Sequence, residues 1–339
     1  MAANKKQQPS MLVVRLGAMG DIIHTLPAVG TLKKSFPDRR LVWVIARKWA
    51  PLLEGNPYID ELIAFDRGNL REYRIWWRRL RDLQDPVAFD FQGLLQSALI
   101  GRAARPQILY GFDRSVAREP WASFLYTESV MVKGPHRIQR NVQLAQAAGA
   151  SVISYEAWIP AGKSEGALPS NPFVLACPSA GWPGKEWPLE NYELLGRHLA
   201  GEGLTLVANV PLHRVHELRK FKNVQLHSSG LSGLIAATRA ARAIVGLDSG
   251  PLHLAAALRK PGVALFGPTD PLRTGPFGGT MEVLRTDDGE TTYKRHSKVH
   301  ASMQSIRVEK VLELLRTSIA ASDSGALKNE TARVTVPHL

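Results

Sequence analysis

The sequence predicts an α/β protein of two consecutive Rossmann-like domains, each a parallel sheet with helices on both faces, facing a central cleft. Three observations carry this. Short apolar runs alternate with stretches of helical periodicity along most of the 339 residues. The alternation loosens between 151 and 172, where proline, glycine and serine collect around AGKSEGALPSNP, and then restarts. No internal repeat at solenoid period is visible, so the two halves read as two domains rather than an array. The expected division is a first domain over 1–160, a second over 161–320 and a flexible tail over 321–339.

The first strand is the apolar run Met11 to Leu16, which breaks at Gly17-Ala18-Met19-Gly20. Asp21 then opens a helical stretch carrying Ile22, Ile23, Leu26 and Val29. Glycines let backbone approach a ligand closely, and a helix N-terminus favours an anion. An aspartate there is also an ordinary N-cap. Leu41 to Ala46 and Glu61 to Phe65 read as the next strands. From 69 to 84 the pattern is helical: Tyr73, Trp76, Leu80 and Leu83 make an apolar face, and Arg71, Arg74, Arg78 and Arg81 a basic one. Pro86 to Phe91 and Gln107 to Tyr110 read as strands around a helix from Gly93 to Ala103.

In the second half, strands are expected at Phe173 to Cys177, Leu204 to Val210, Val224 to Leu226, Ala243 to Leu247 and Gly262 to Phe266. Helices are expected at Glu190 to Ala200, around His213 to Lys220, and over Leu231 to Ala241 and Gly250 to Leu258.

Composition narrows the partners. A formal charge of +13 calls for polyanionic company: nucleic acid, an anionic membrane surface or a phosphorylated substrate. The single Cys177 excludes an internal disulfide framework and any multi-cysteine zinc site, and behind an apolar run it reads as a buried thiol. The N-terminal stretch lacks the apolar core of a signal peptide, and no apolar run reaches ~18 residues, so a cytoplasmic, non-spanning chain is expected.

The strongest ligand signal lies in the second half. The strand at Ala243 to Leu247 ends in Asp248-Ser249-Gly250-Pro251-Leu252-His253, which leads into a helix rich in Ala and Leu. A carboxylate, a hydroxyl and helix N-terminal amides at the carboxyl end of a strand suit a sugar hydroxyl beside a diphosphate. The same residues could simply cap the helix, with Pro251 in its first turn. Lys185, in the glycine- and proline-rich loop PSAGWPGKEWP, is placed to meet a phosphate, although a solvated surface position is the commoner fate of a single lysine. Thr269 and Asp270 follow the last strand on the same rim.

Several motifs are missing: G-x-G-x-x-G after a strand, the phosphate loop, a D-x-D pair, HExxH and G-x-S-x-G. A leaving group here would therefore be stabilised by lysine and backbone dipoles, without a protein-held metal and with no cofactor, although a loosely bound Mg²⁺ is compatible. Two basic clusters lie in the first half. Arg67, Arg71, Arg74, Arg78 and Arg81 make one group, beside Trp76 and Trp77; Arg114, Arg118, His136, Arg137 and Arg140 make another. They read either as solvated faces or as docking sites for an anionic acceptor or membrane headgroups. No nucleic-acid-binding motif accompanies them.

RLGAMGDIIHTLPA, VAFDFQGLLQSALIGRAA, YGFDRSVAREPWASFLY, GKEWP, GLDSGPLHLAAAL and FGPTDP occur in this order. Together they resemble the lipopolysaccharide heptosyltransferases of glycosyltransferase family nine, and DFQGLLQSA and YGFDRSVAREP resemble the type I members. The resemblance spans residues 11 to 315. It implies a GT-B fold and an inverting glycosyl transfer from ADP-L-glycero-D-manno-heptose to the Kdo of Kdo2–lipid A. The enzyme would lie peripherally on the cytoplasmic face of the inner membrane, with no nucleic acid involved.

By the same resemblance the catalytic base falls on Asp21, and donor binding on Lys185, Asp248, Gly250 and His253; Ser249 joins them from its place at the helix N-terminus. Ser179, Glu217 and Thr269 are weaker donor-side candidates. Gly20, Arg67, Arg71, Arg74, Gln92, Arg114, Arg118, His136, Arg137 and Arg140 are the acceptor-side candidates. A two-domain nucleotide-sugar epimerase is the rival enzyme class.

Overall fold

The computed structural model describes residues 8–66, 70–286, 291–295 and 297–325, with the side chains of 70–73 outside that description. The chain divides into two compact units, Met1–Pro160 and Ala161–Leu339.

In the first unit the order is β1 (Ser10–Val14), α1 (Met19–Ile23), α2 (Leu26–Ser35), β2 (Arg40–Ala46), β3 (Glu61–Phe65), α3 (Leu70–Arg81) and β4 (Val87–Asp90). There follow α4 (Leu95–Ala103), β5 (Ile108–Phe112), β6 (Glu128–Val130) and α5 (Arg137–Ala147). The six strands form one sheet in the order β3-β2-β1-β4-β5-β6, and every pair is parallel. β1 is buried along its whole length, which is why it reads as an uninterrupted apolar run.

One helix was expected after Asp21, but two form. Pro27 has no N–H to donate to the carbonyl of Ile23, and the Thr25 hydroxyl donates to the Asp21 carbonyl at 2.8 Å, so the chain turns at His24-Thr25 and restarts as α2. On α3, Trp76 and Leu80 are buried as their spacing requires, and with Leu83 just beyond the helix they join β1, β2, α4 and the turn Pro120–Leu125 in one core. Trp76 is therefore not a surface partner for the arginines; Trp77 is exposed, with Arg81 stacked on its ring at 4.8 Å.

The second unit runs β7 (Phe173–Ala176), α6 (Leu189–Ala200), β8 (Thr205–Asn209), α7 (Val215–Leu218), β9 (Val224–His227), α8 (Leu231–Ala240) and β10 (Ala243–Leu247). It continues with α9 (Gly250–Ala257), β11 (Gly262–Phe266), α10 (Pro271–Thr274), β12 (Met281–Arg285), α11 (Ala301–Gln304) and α12 (Val308–Asp323). Its parallel sheet has the order β12-β11-β10-β7-β8-β9. Counted from its own first strand, that is the order of the first unit, so the two sheets share one doubly wound topology.

Around His213 to Lys220 the helix shrinks to a tight turn at Leu212–Arg214 and the single turn of α7. α12 buries Val311, Leu312 and Leu315 and runs to Asp323, so the boundary expected at 320/321 falls inside a helix; residues 326–339 lie outside the described residues.

Cys177, after β7, is buried, and that burial pushes its thiol up to about 12. Native protein at pH 8 is expected to resist alkylation by iodoacetamide, with stoichiometric labelling appearing only in denaturant; mass spectrometry of the two samples decides this.

Candidate active site

Each sheet has a topological switch point, where the strand order reverses between two central neighbours and the connecting loops diverge. In the first unit it lies between β1 and β4. Arg15 and Leu16 leave β1 there, and Phe91 and Gln92 leave β4. The Leu16 amide donates to Gln92 Oε1 at 2.8 Å, and Arg15 donates to the Phe91 carbonyl at 2.5 Å. Asp90 below them is fully buried. It accepts from the amides of Gln92 and Gly93 and from the hydroxyls of Ser97 and Tyr126, at 2.8 to 3.1 Å. Burial raises its pKa against the opposing effect of those bonds.

Asp21 sits in the first turn of α1, not at its start. The N-cap is Ala18, and nothing in α1 requires a capping side chain at position 21. Its carboxylate is held instead by two guanidinium groups, Arg15 Nη2 at 2.5 Å and Arg137 Nη1 at 2.5 Å. A short helix end contributes little beside two such pairs, so these arginines dominate the environment of Asp21. Arg15 has a side chain only 5% exposed. Burial lowers its pKa; Asp21 works against that shift, and Arg137 and Arg118 add to it. Three guanidiniums thus share a small volume with Asp21.

Gly17 permits a close approach here: a Cβ at this position would stand 2.9 Å from the indole nitrogen of Trp49. A cavity of about 620 Å³ opens beside the turn, walled by Gly17, Ala18, Arg47, Lys48, Trp49, Asp66, Gln92 and Arg118, among others.

The acceptor-side candidates fare unequally. Gln92 and Arg118 line this cavity, and Arg137 pairs with Asp21. Gly20 is buried within α1. His136 caps α5 by accepting from the Ile138 amide at 3.2 Å and packs edge-on to His24, which is a structural use of its ring. Arg140 donates to the Gly134 carbonyl at 2.8 Å, closing the loop before α5. Arg114 is exposed beside Asp113, and Arg74 is exposed on α3. Arg67 and the side chain of Arg71 lie outside the described residues. Arg15, Arg47, Lys48 and Trp49 were not among the candidates. A charged residue ending the apolar run of β1 was the available signal for Arg15.

In the second unit the switch point lies between β7 and β10, and the donor-side residues converge on it. Lys185, in the turn Pro183–Lys185, donates to Asp248 Oδ2 at 2.5 Å. Thr269 donates to the same oxygen at 2.8 Å, and Thr274 donates to Oδ1 at 3.1 Å. His253 Nε2 stands 3.9 Å from Oδ1. Burial alone would raise the Asp248 pKa, but Lys185, His253 and the bonds from Lys185 and Thr269 outweigh it, so the carboxyl sits below its ordinary value.

Ser249 is the N-cap of α9, yet its hydroxyl makes no capping bond and its oxygen is buried without a hydrogen-bond partner. The hydroxyl and the amide end of α9 are thus not consumed by capping, the alternative use of this segment.

Glu217 and Ser179 belong to a different device. Arg214 grips Glu186 with both terminal nitrogens, at 2.6 and 2.9 Å, and Glu217 at 2.8 Å through Nε and Nη2; it also donates to Ser179 Oγ at 3.0 Å. Glu186 follows Lys185 and accepts from the Ala180 amide at 3.1 Å. This network ties down both ends of the loop that presents Lys185. Among the described residues no group of three or more His, Cys, Asp or Glu is arranged to hold a metal ion.

Two doubly wound parallel sheets with these rims define the class: an α/β protein of GT-B type. The fold matches the structure "E. coli heptosyltransferase WaaC with ADP" with a TM-score of 0.73 at 22% identity, over 91% of this chain and 99% of that one. The pattern of glycosyltransferase family 9 (heptosyltransferase) matches residues 73–303. Lipopolysaccharide heptosyltransferase 1 of Pseudomonas aeruginosa is 30% identical over 307 residues, covering 82% of this chain and 84% of that one. Lipopolysaccharide heptosyltransferase 2 of Escherichia coli K12 is 26% identical over 360 residues, covering 93% and 99%. The chain belongs to glycosyltransferase family 9.

Because Asp248 is held below its ordinary value, its pairing stabilises the fold above the unfolded carboxyl value of 3.8 and is lost as pH falls through the lower folded value. Asp248→Asn leaves Lys185 facing a neutral amide and is expected to cost about 3 kcal/mol near neutral pH. Thermal melts of both proteins from pH 7 to pH 3 should show the gap closing only at the acid end.

Proposed function

We propose that this chain is an inverting heptosyltransferase that moves L-glycero-D-manno-heptose from ADP-heptose to the Kdo of Kdo2–lipid A in lipopolysaccharide core synthesis. The observation that carries the reading is the carboxylate of Asp21, held at a switch point by Arg15 and Arg137 beside a cavity with cationic walls. Family membership supports heptosyl transfer. The type I acceptor rests on the resemblance in 87–126 and on the 30% identity to a type 1 relative. The similarity to a type 2 relative makes another core acceptor the second reading.

In this proposal ADP-heptose binds the second unit. Lys185 leaves Asp248 in part to meet the diphosphate, and the amides at the start of α9 with Ser249 Oγ take further phosphate oxygens. Asp248 and His253 orient the sugar or the phosphates, while Ser179, Glu186 and Glu217 act through Arg214 on the loop that carries Lys185. Charge developing on departing ADP is met by lysine and helix amides, with no protein-held metal called on.

The acceptor is a polyanion, and Arg118, Arg47 and Lys48 are chemically suited to its carboxylates and phosphates. A carboxylate saturated by two guanidiniums is a poor base. Arg137, the more exposed of the pair with 25% of its side chain accessible, is the one proposed to turn to the acceptor carboxylate. Asp21 then accepts the hydroxyl proton as that oxygen attacks the anomeric carbon and ADP leaves from the opposite face. Arg15, buried and bonded to Phe91, stays to position the base. Peripheral binding at the cytoplasmic face of the inner membrane belongs to the same proposal. It is supported by a lipid-linked acceptor and by the exposed arginines, and among the described residues no helix is long and apolar enough to cross a membrane.

Purified protein given ADP-heptose and Kdo2–lipid A should yield a product heavier by one heptose and an equivalent of ADP; ADP-heptose consumed without acceptor would favour an epimerase or hydrolase instead. Asp21→Ala is expected to lose about 10²–10⁴ in turnover, and turnover near wild type removes Asp21 as base. Arg137→Ala should raise the acceptor KM about ten- to a hundredfold, the loss of one charge-assisted bond, with donor KM unchanged. Lys185→Ala should do the reverse, so steady-state kinetics in both substrates separate the two roles.

A further inference from the structure

α3, α4 and the turn Pro120–Leu125 cover one face of the first unit's sheet, and their inward residues join a single core. α3 packs against α4, and α4 packs against the turn. Arg102 of α4 donates to the Leu125 carbonyl at 2.6 Å, and the Leu95 amide donates to Glu119 Oε2 at 2.7 Å. The outward side of this layer is not the polar surface such a layer ordinarily shows. Ile75, Trp77, Leu95, Leu99, Trp121 and Phe124 are 44 to 73% exposed, with Trp121 and Phe124 the most exposed of the six and their rings 5.8 Å apart. Large apolar side chains scattered singly need no explanation, but six on one layer do.

Charge on the same layer tells what it meets. Arg74 and Arg78 are exposed on α3 between and beside Ile75 and Trp77, and Arg81 stacks on Trp77. Aromatic rings interleaved with arginines suit the boundary between lipid headgroups and acyl chains, where ring and guanidinium are each half solvated. A second copy docking through the same face would set these arginine rows against each other, which costs rather than stabilises.

Connectivity gives the layer a use. Arg118, which lines the cavity beside Gly17, stands just before the turn that carries Trp121 and Phe124, and Gly93 at the head of α4 allows the Arg118 amide to approach closely. A lipid-linked sugar could then reach the cavity while its acyl chains stay in the bilayer under the turn.

We propose that the outer face of α3, α4 and the turn Pro120–Leu125 is a membrane-docking surface for anionic lipid, with Trp121 and Phe124 entering the interface and the α3 arginines meeting headgroups. It rests on the proposed transfer to a lipid-linked acceptor but is tested without it.

The full chain is sedimented with vesicles of phosphatidylglycerol mixed with phosphatidylcholine, and with vesicles of phosphatidylcholine alone, in the absence of donor. The expected result is binding to the anionic vesicles, weakened by salt, and little to the neutral ones. Trp121→Ser combined with Phe124→Ser should reduce partitioning at least tenfold at unchanged melting temperature, and Arg78→Gln about fivefold. Brominated lipid should quench tryptophan fluorescence in the wild type and less in the double variant.

Transfer to a deacylated, soluble Kdo acceptor should be the same in wild type and double variant. If vesicle binding holds but no heptose is transferred, the function falls and the surface stands. Failure of the wild type to bind anionic vesicles, or equal binding by the double variant, overturns the surface. A double variant that instead turns a dimer into a monomer in sedimentation assigns this face to a second copy and overturns it as well.

Discussion

A carboxylate drawn largely out of water at the end of a parallel sheet needs cations or strong donors on its oxygens to stay charged, and both units place one there with cations. In each sheet the strand order reverses beside the unit's own first strand, β1 or β7. The loops leaving β1 and β4, or β7 and β10, diverge and open a crevice. Asp21 and Asp248 occupy these places. Their partners come from far along the chain: Arg137 on α5 for the first, Lys185 after β7 for the second. The first pairing ties α1 to α5, and the second ties the turn after β7 to the end of β10.

The two sites solve the problem differently, and the difference matches the roles proposed for them. Asp248 has one ammonium and two threonine hydroxyls on its oxygens and is nearly sealed. Its local charge is close to balanced, and in the proposed reaction a diphosphate would draw Lys185 away. Asp21 is outnumbered, since Arg15 and Arg137 hold it and Arg118 adds to the field at Arg15. A site with surplus guanidinium charge in a partly dry crevice is incomplete without an anion, and an incoming carboxylate would relieve Asp21 of part of its load as it binds. Substrate binding and activation of the base would then be one event.

The interior of the fold was legible because strands buried on both faces read as continuous apolar runs: β1, β2, β7, β10 and β11 are all visible that way. Two of the four edge strands, β6 and β12, were not. β6 is three residues, Glu128–Val130, and largely exposed. β12 (Met281–Arg285) carries a charged residue at Glu282 and pairs only with β11. α5 was missed because Arg137 and Arg140 were read as a charge cluster, although Ile138, Asn141, Val142 and Ala145 mark a buried face. At the sites, residue types were legible and partners were not. Nothing local to Asp21 announces Arg137, 116 positions away, so helix capping was the physical explanation nearest to hand. Glu217 was a weak placement for a donor-side glutamate implied by the resemblance, and Arg214 uses its carboxylate to brace the Lys185 loop.

Burial also sorts the net charge, which composition could only report as a total. Arg15 and Arg214 spend their guanidiniums largely out of solvent, on carboxylates, and removing Arg214 would leave the buried Glu186 without its cation rather than a less basic surface. Arg74 and Arg78 stand in solvent among exposed rings, where charge costs the fold little and is available to a partner. A positive sequence is thus two populations with opposite consequences: internal arginines that determine where acids can be kept, and external ones that determine what the molecule meets. A local signal for the first kind is an arginine ending an apolar strand, as Arg15 ends β1. It is a residue that has to find an anion or another strong acceptor within reach of the sheet, and here it finds Asp21 and the Phe91 carbonyl.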